Sequence, residues 1–125
     1  MSSPPGAGTS RVRPAFRLWL AGEDESSPFG QGRWQLLQAI EREGSLRAAA
    51  ASLEISYRKA WGDLKATERA LGVQLIAAHR GGSAGGDTRL TPAGQAWLRA
   101  YDGFRKRVAR AVDRAFAASF KDLLS

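Results

Sequence analysis

Residues 44–71 read GSLRAAAASLEISYRKAWGDLKATERAL, and this stretch decides the fold. It contains two short helical patterns with so few residues between them that only a tight turn fits. Ser45 and Ser56 stand at the heads of the two patterns, where a hydroxyl can accept hydrogen bonds from N–H groups that the first turn of a helix leaves unpartnered. Glu54 and Ile55 remain as the turn. Ile55 precedes the second cap and Ala60 occupies the fourth helical position, the spacing of a hydrophobic staple. Two helices joined in this way make a helix-turn-helix.

The faces of the two helices differ in character. In the first, Leu46, Ala49, Ala50 and Leu53 recur at i, i+3, i+4 and i+7 and form an apolar side, with Arg47 pointing elsewhere. In the second, Ala60, Leu64, Thr67 and Leu71 share a face, while Arg58, Gly62, Lys65 and Arg69 fall opposite. That outer face has three cations and no anion, which suits phosphates and base edges; an ordinary solvated face is the alternative. Gly62 costs about 1 kcal/mol relative to alanine in a helix interior, and its missing side chain lets a groove wall approach. By the same periodicity Tyr57 lies nearer the core edge.

Working outward, residues 15–21 (AFRLWLA) alternate apolar and polar positions and predict a half-buried strand. The acidic loop GEDESSP follows at 22–28, then a helix from Phe29 or Gly32 to Glu43 with Trp34, Leu36, Leu37 and Ile40 on its stripe and Gly44 as its cap. Beyond Gly72, VQLIA at 73–77 and Thr88-Arg89-Leu90 read as two strands around a glycine-rich loop flanked by Arg80 and Arg89. A hairpin at this place is the wing of a winged helix, and the strand at 16–20 is expected as its third partner. The loop lacks the Gly-Lys-Ser/Thr of a phosphate cradle. Thr91-Pro92 starts a long helix reaching residue 120. Trp97, Tyr101, Phe104, Val108, Ala111 and Ala115 are spaced as heptads, a dimer seam whose aromatic front half fits core packing equally well. Arg105, Lys106, Arg107, Arg110 and Arg114 crowd the same helix and read as a solvated face, with DNA backbone or an anionic membrane as alternatives.

Composition agrees with a polyanionic partner. In 125 residues, 19 Lys and Arg outweigh 12 Asp and Glu, for a net charge of +7. The absence of cysteine excludes disulfides, thiolate chemistry and zinc fingers, and fits a cytoplasmic setting. No apolar run approaches the roughly 20 residues that span a bilayer. The expected plan is a disordered tail at 1–13, a winged helix-turn-helix domain at 14–90, a dimerisation helix at 91–120 and a tail at 121–125.

GSLRAAAASLEISYRKAW resembles the N-terminal DNA-binding domain of the molybdate-responsive ModE regulators. Their Gly-Ser-Ile/Leu start and Ser-Tyr-Lys/Arg-x-Ala-Trp stand here at Gly44-Ser45-Leu46 and Ser56-Tyr57-Arg58-Lys59-Ala60-Trp61. His79-Arg80-Gly81-Gly82, Leu90-Thr91-Pro92-x-Gly94, Tyr101-Asp102, the FRLWL strand and Phe29-Gly30-x-Gly32-Arg33 extend the likeness over about residues 14–108. The join Leu71-Gly72-Val73-x-Leu75 is shared with LysR-type regulators. The resemblance implies a mainly α fold with a small β-sheet, a winged helix-turn-helix with a long C-terminal dimerisation helix. It also implies contact with a two-fold operator through Ser56, Tyr57, Arg58 and Lys59, and through Arg80, Gly81 and Gly82 of the wing. Two departures are visible: the wing reads GGSAGGDTRL, with Asp87 an anion among the glycines, and the family's molybdate-binding domains find no counterpart, so a stand-alone form without oxyanion sensing is expected.

The expected function is a homodimeric, sequence-specific transcriptional regulator on double-stranded DNA, with Ser45, Arg47, Arg80, Gly81, Gly82 and Arg89 setting register and Ser56, Tyr57, Arg58, Lys59, Gly62, Lys65 and Arg69 facing the groove. A non-specific architectural DNA-binding protein, or an adaptor that docks a separate sensor, is the alternative. An enzyme is not expected: His79 is the lone histidine, and the acidic residues form no metal or nucleophile constellation. No cofactor, small-molecule ligand or membrane partner is expected.

Overall fold

The computed structural model describes residues 12–24, 27–79 and 87–124. Two short strands come first: β1 (Trp19–Leu20) pairs antiparallel with β2 (Phe29–Gly30), Trp19 opposite Gly30 and Leu20 opposite Phe29. Helix α1 (Gln31–Glu43) ends where Gly44 enters the left-handed region at φ 82° and returns its N–H to the carbonyl of Ile40. Helices α2 (Leu46–Ser52) and α3 (Tyr57–Leu71) are the predicted pair. Both serine caps form: the Ala48 N–H donates to Ser45 Oγ and the Lys59 N–H to Ser56 Oγ, each at 3.0 Å. Glu54 takes φ 59° in the turn, which lets the Ile55 N–H reach the carbonyl of Ala50 at 3.0 Å.

After Gly72, strands β3 (Ile76–His79) and β4 (Asp87–Leu90) pair antiparallel from Ile76 opposite Leu90 to His79 opposite Asp87. This is the expected hairpin, but the expected third strand does not join it. Among the described residues β1 pairs with β2 alone, so two separate two-stranded sheets replace one sheet of three. The strand predicted over residues 15–21 is shortened to two residues, because β2, its hydrogen-bonding partner, is itself only Phe29–Gly30.

Helix α4 runs over Pro92–Leu124, past the predicted end at 120. Thr91 caps it, its Oγ1 accepting from the Gly94 N–H at 2.9 Å while donating to the Gln74 carbonyl at 2.6 Å. Gly94 is required at this junction: a Cβ there would collide with the carbonyl oxygen of Leu75, itself the acceptor for the Thr91 N–H. The start of α4 is thereby fastened to the strand entering the wing.

The chain divides into two compact units, residues 18–102 and residues 12–17 with 103–124 among those described. In the first, Phe29, Leu36, Leu37, Ile40, Leu64 and Leu75 are fully enclosed. Phe29 packs against Trp97 and Tyr101 with ring centroids 5.4 Å apart in both pairs, and Tyr101 donates its hydroxyl to the Leu18 carbonyl at 2.7 Å. Tyr101 is 3 % exposed. It is therefore a core residue of its own chain and offers no surface to a second copy, which corrects its place in the dimer seam; Trp97 is partly buried against the same core. The first turns of α4, as far as Asp102, thus belong to the same compact unit as the helix-turn-helix. In the second unit Phe116 stacks on Phe120 at 5.2 Å, and the Arg105 guanidinium lies 5.5 Å from the Phe16 ring centroid.

Candidate nucleic-acid interface

Helix α3 is built with one face anchored and the other free. Ala60, Leu64 and Thr67 are buried as the periodicity predicts, and Leu71 is partly buried. The predicted face missed Glu68, which is also buried. Its carboxylate accepts from the Leu75 N–H at 2.7 Å and the Ile76 N–H at 3.3 Å, and lies 3.2 Å from Lys65 Nζ. Burial by itself pushes this carboxyl up, but the Leu75 and Ile76 N–H groups together with Lys65 outweigh it and hold the group below its ordinary value. Glu68 therefore stays ionised, tying α3 to the strand that leads into the wing.

On the free face Ser56, Tyr57, Arg58 and Lys59 are all exposed at the head of α3, and Arg69 at its end. Tyr57 is 43 % exposed, not at the core edge. The Arg47 guanidinium lies over its ring at 4.6 Å from the centroid, so α2 and α3 present one joined surface across the turn. Arg58 has no hydrogen-bonding or ionic partner among the described residues. Gly62 is open: an added Cβ would meet nothing within 4 Å.

Two predicted contacts are less free than the sequence suggested. Lys59 Nζ lies 3.1 Å from Asp63 Oδ2, and Asp63 also holds Arg33 at 3.4 Å, while Arg33 Nε donates to Thr67 Oγ1 at 2.9 Å. Lys65 is paired with Glu68 and stands over the Trp61 ring at 5.5 Å. Reading the outer face as free of anions overlooked these two carboxylates, which lie beside it and reach round to it. Trp61 itself was missed. It is 47 % exposed and lies one turn beyond Tyr57 on the same side; that spacing was the available signal.

Ser45 and Arg89 come together elsewhere, lining a hollow with Glu41, Glu43, Thr88 and Gln95. The Ser45 hydroxyl is already engaged as a cap, and the Thr88 N–H donates to the Gly44 carbonyl at 3.2 Å. Arg80, Gly81 and Gly82 lie outside the described residues. No group of three or more metal-ligating side chains occurs among the described residues, and no helix among them is long and apolar enough to cross a membrane.

Residues 32–95 match the model of the family described as bacterial regulatory helix-turn-helix protein, lysR family. The chain is 39% identical over 88 residues to the molybdenum-pterin-binding protein MopB of Rhodobacter capsulatus, covering 70% of this chain and 33% of MopB. It is 33% identical over 91 residues to the molybdenum transport protein ModE of Azotobacter vinelandii, covering 73% and 34%. It thus spans about a third of the length of these curated relatives. A crystal structure of a complex of the CbnR DBD with DNA superposes with a TM-score of 0.56 at 30% identity, over 70% of this chain and 95% of that one. With the winged helix-turn-helix in place and more than half of its residues matched, the chain belongs to the lysR family of bacterial regulatory helix-turn-helix proteins and carries a domain of the ModE-like kind.

Proposed function

We propose that this chain is the DNA-reading unit of a transcriptional regulator, and that it binds a two-fold symmetric duplex site as a homodimer. The observation that carries this reading is the joined exposed surface of α2 and α3. Arg47 of α2 and Tyr57, Arg58 and Trp61 of α3 stand out from two helices whose opposite sides are fixed in the core. Arg58 is the specificity residue, because an unpartnered guanidinium can bind both acceptors of a guanine edge. Ser56, Lys59, Lys65 and Arg69 contact the groove walls, and Gly62 leaves room for close approach. Ser45, Arg89 and the wing residues Arg80, Gly81 and Gly82 set register on phosphates. The likeness to a domain solved with DNA supports this placement.

Dimerisation is assigned to Phe104, Val108, Ala111 and Ala115 of α4, the part of the predicted seam that lies beyond the core of residues 18–102. Phe104 is 43 % exposed there. Affinity measured for a selected duplex and for a random duplex across salt concentrations tests the reading. A specific regulator favours the selected site by at least about a thousandfold at physiological salt; equal affinities favour an architectural protein or an adaptor instead.

A further inference from the structure

The charge of this protein is not where its helix-turn-helix is. Positions 18–102 contain ten Lys and Arg and ten Asp and Glu, so the unit that holds α2, α3 and the wing is formally neutral. Positions 1–17 and 103–125 contain nine and two, the whole of the +7 excess. Within that balance, Lys59 and Lys65 are paired directly with Asp63 and Glu68. Affinity for a duplex comes largely from cations that displace condensed counterions from phosphates; cations of the neutral unit supply some of these contacts, and the six Lys and Arg against two Asp at 103–125 can add to them.

We propose that the distal half of α4 is a second DNA-contacting surface, which binds the sugar-phosphate backbone without reading sequence. This rests on the function proposed above. Lys106, Arg107, Arg110, Arg114 and Lys121 all point into solvent. At 3.6 residues per turn they fall within an arc of about 100° that includes no acidic residue. Arg107, Arg110 and Arg114 have no hydrogen-bonding or ionic partner among the described residues. Phe104, Val108, Ala111 and Ala115 fall on a different side of the helix, so pairing of two copies through that seam leaves the basic arc open. An ordinary solvated face mixes signs to limit self-repulsion. Arg107, Arg110 and Arg114 lie within two helical turns of one another, and a row of phosphates relieves their mutual repulsion.

The test uses the full chain with Lys106, Arg107, Arg110 and Arg114 all changed to Gln, which keeps helix propensity, beside a charge-retaining variant with Arg107, Arg110 and Arg114 changed to Lys. Binding to a selected and to a random duplex is titrated against salt, with helicity and oligomeric state checked for each protein. The Gln variant is expected to lose about 2–4 units of the slope of log affinity against log salt, at roughly 0.9 per phosphate contact. It should weaken on both duplexes by the same factor, while the Lys variant keeps the wild-type slope. A Gln variant that stays helical with an unchanged slope overturns the proposal. So does loss of binding to phosphatidylserine vesicles with DNA binding intact, which makes the arc a membrane surface. Should the fourfold change unfold the helix, Arg110→Gln with Arg114→Gln should lose about half as much slope, and no loss there also overturns it. If wild type prefers no sequence, the regulator reading fails, yet the slope comparison still decides this one.

Discussion

At the scale of single residues, side chains and glycines with one defined task make the sharpest predictions. Gly94→Ala drives a methyl group into the Leu75 carbonyl, so thermal unfolding should show a loss of about 1–3 kcal/mol or more; a Tm equal to wild type would show that the junction can shift. Asp63→Asn removes the anion that holds Lys59 and should raise affinity for random duplexes severalfold at low salt, lowering the preference for the selected site. Binding titrations on both duplexes check this. The role of Gly94 was legible only as a motif position, because the nearby Leu75 carbonyl lies 19 residues earlier in the chain. Ser45, Ser56 and Thr91 were legible as caps because a cap acts within one turn of its own helix. Trp61 was legible only through its one-turn spacing from Tyr57, since an exposed indole stands outside the apolar stripe.

At the scale of elements, helices reached correct bounds where local signals agreed. Gly44, Gly72 and the serine caps bracket α1, α2 and α3 within a residue or two of expectation. Strand pairing was less legible, since alternation in FRLWL says that one side is covered without saying by what, and β2 in place of the wing is the partner. Glu68 is the main structural link from α3 to β3. Its folded-state value lies below the unfolded 4.5, so the stability it contributes is fully present above 4.5 and is lost as pH falls through the lower, folded value. Glu68→Gln should therefore cost about 1–3 kcal/mol at pH 7, and the gap from wild type should close in denaturant titrations carried out well below pH 4.5. A gap that is independent of pH would contradict an ionised Glu68.

At the scale of the whole molecule, a formally neutral helix-turn-helix unit is joined to segments at 1–17 and 103–125 that hold the whole of the +7 excess, a division that composition conceals because it reports only the sum. Substituting Glu for Phe104 and Val108 should convert a dimer to a monomer by sedimentation and weaken binding to a two-fold site far more than to a half-site; an unchanged mass would move the interface elsewhere. The proposed function turns most directly on α3 as the element that reads bases. Enriching random duplexes with the wild-type protein and with Arg58→Ala measures this. The wild type should enrich a two-fold symmetric sequence with half-sites about one helical turn, roughly 34 Å, apart, and Arg58→Ala should lose about 1–3 kcal/mol of preference at one symmetric pair of positions while keeping the rest. Identical enriched sequences from the two proteins would contradict the account.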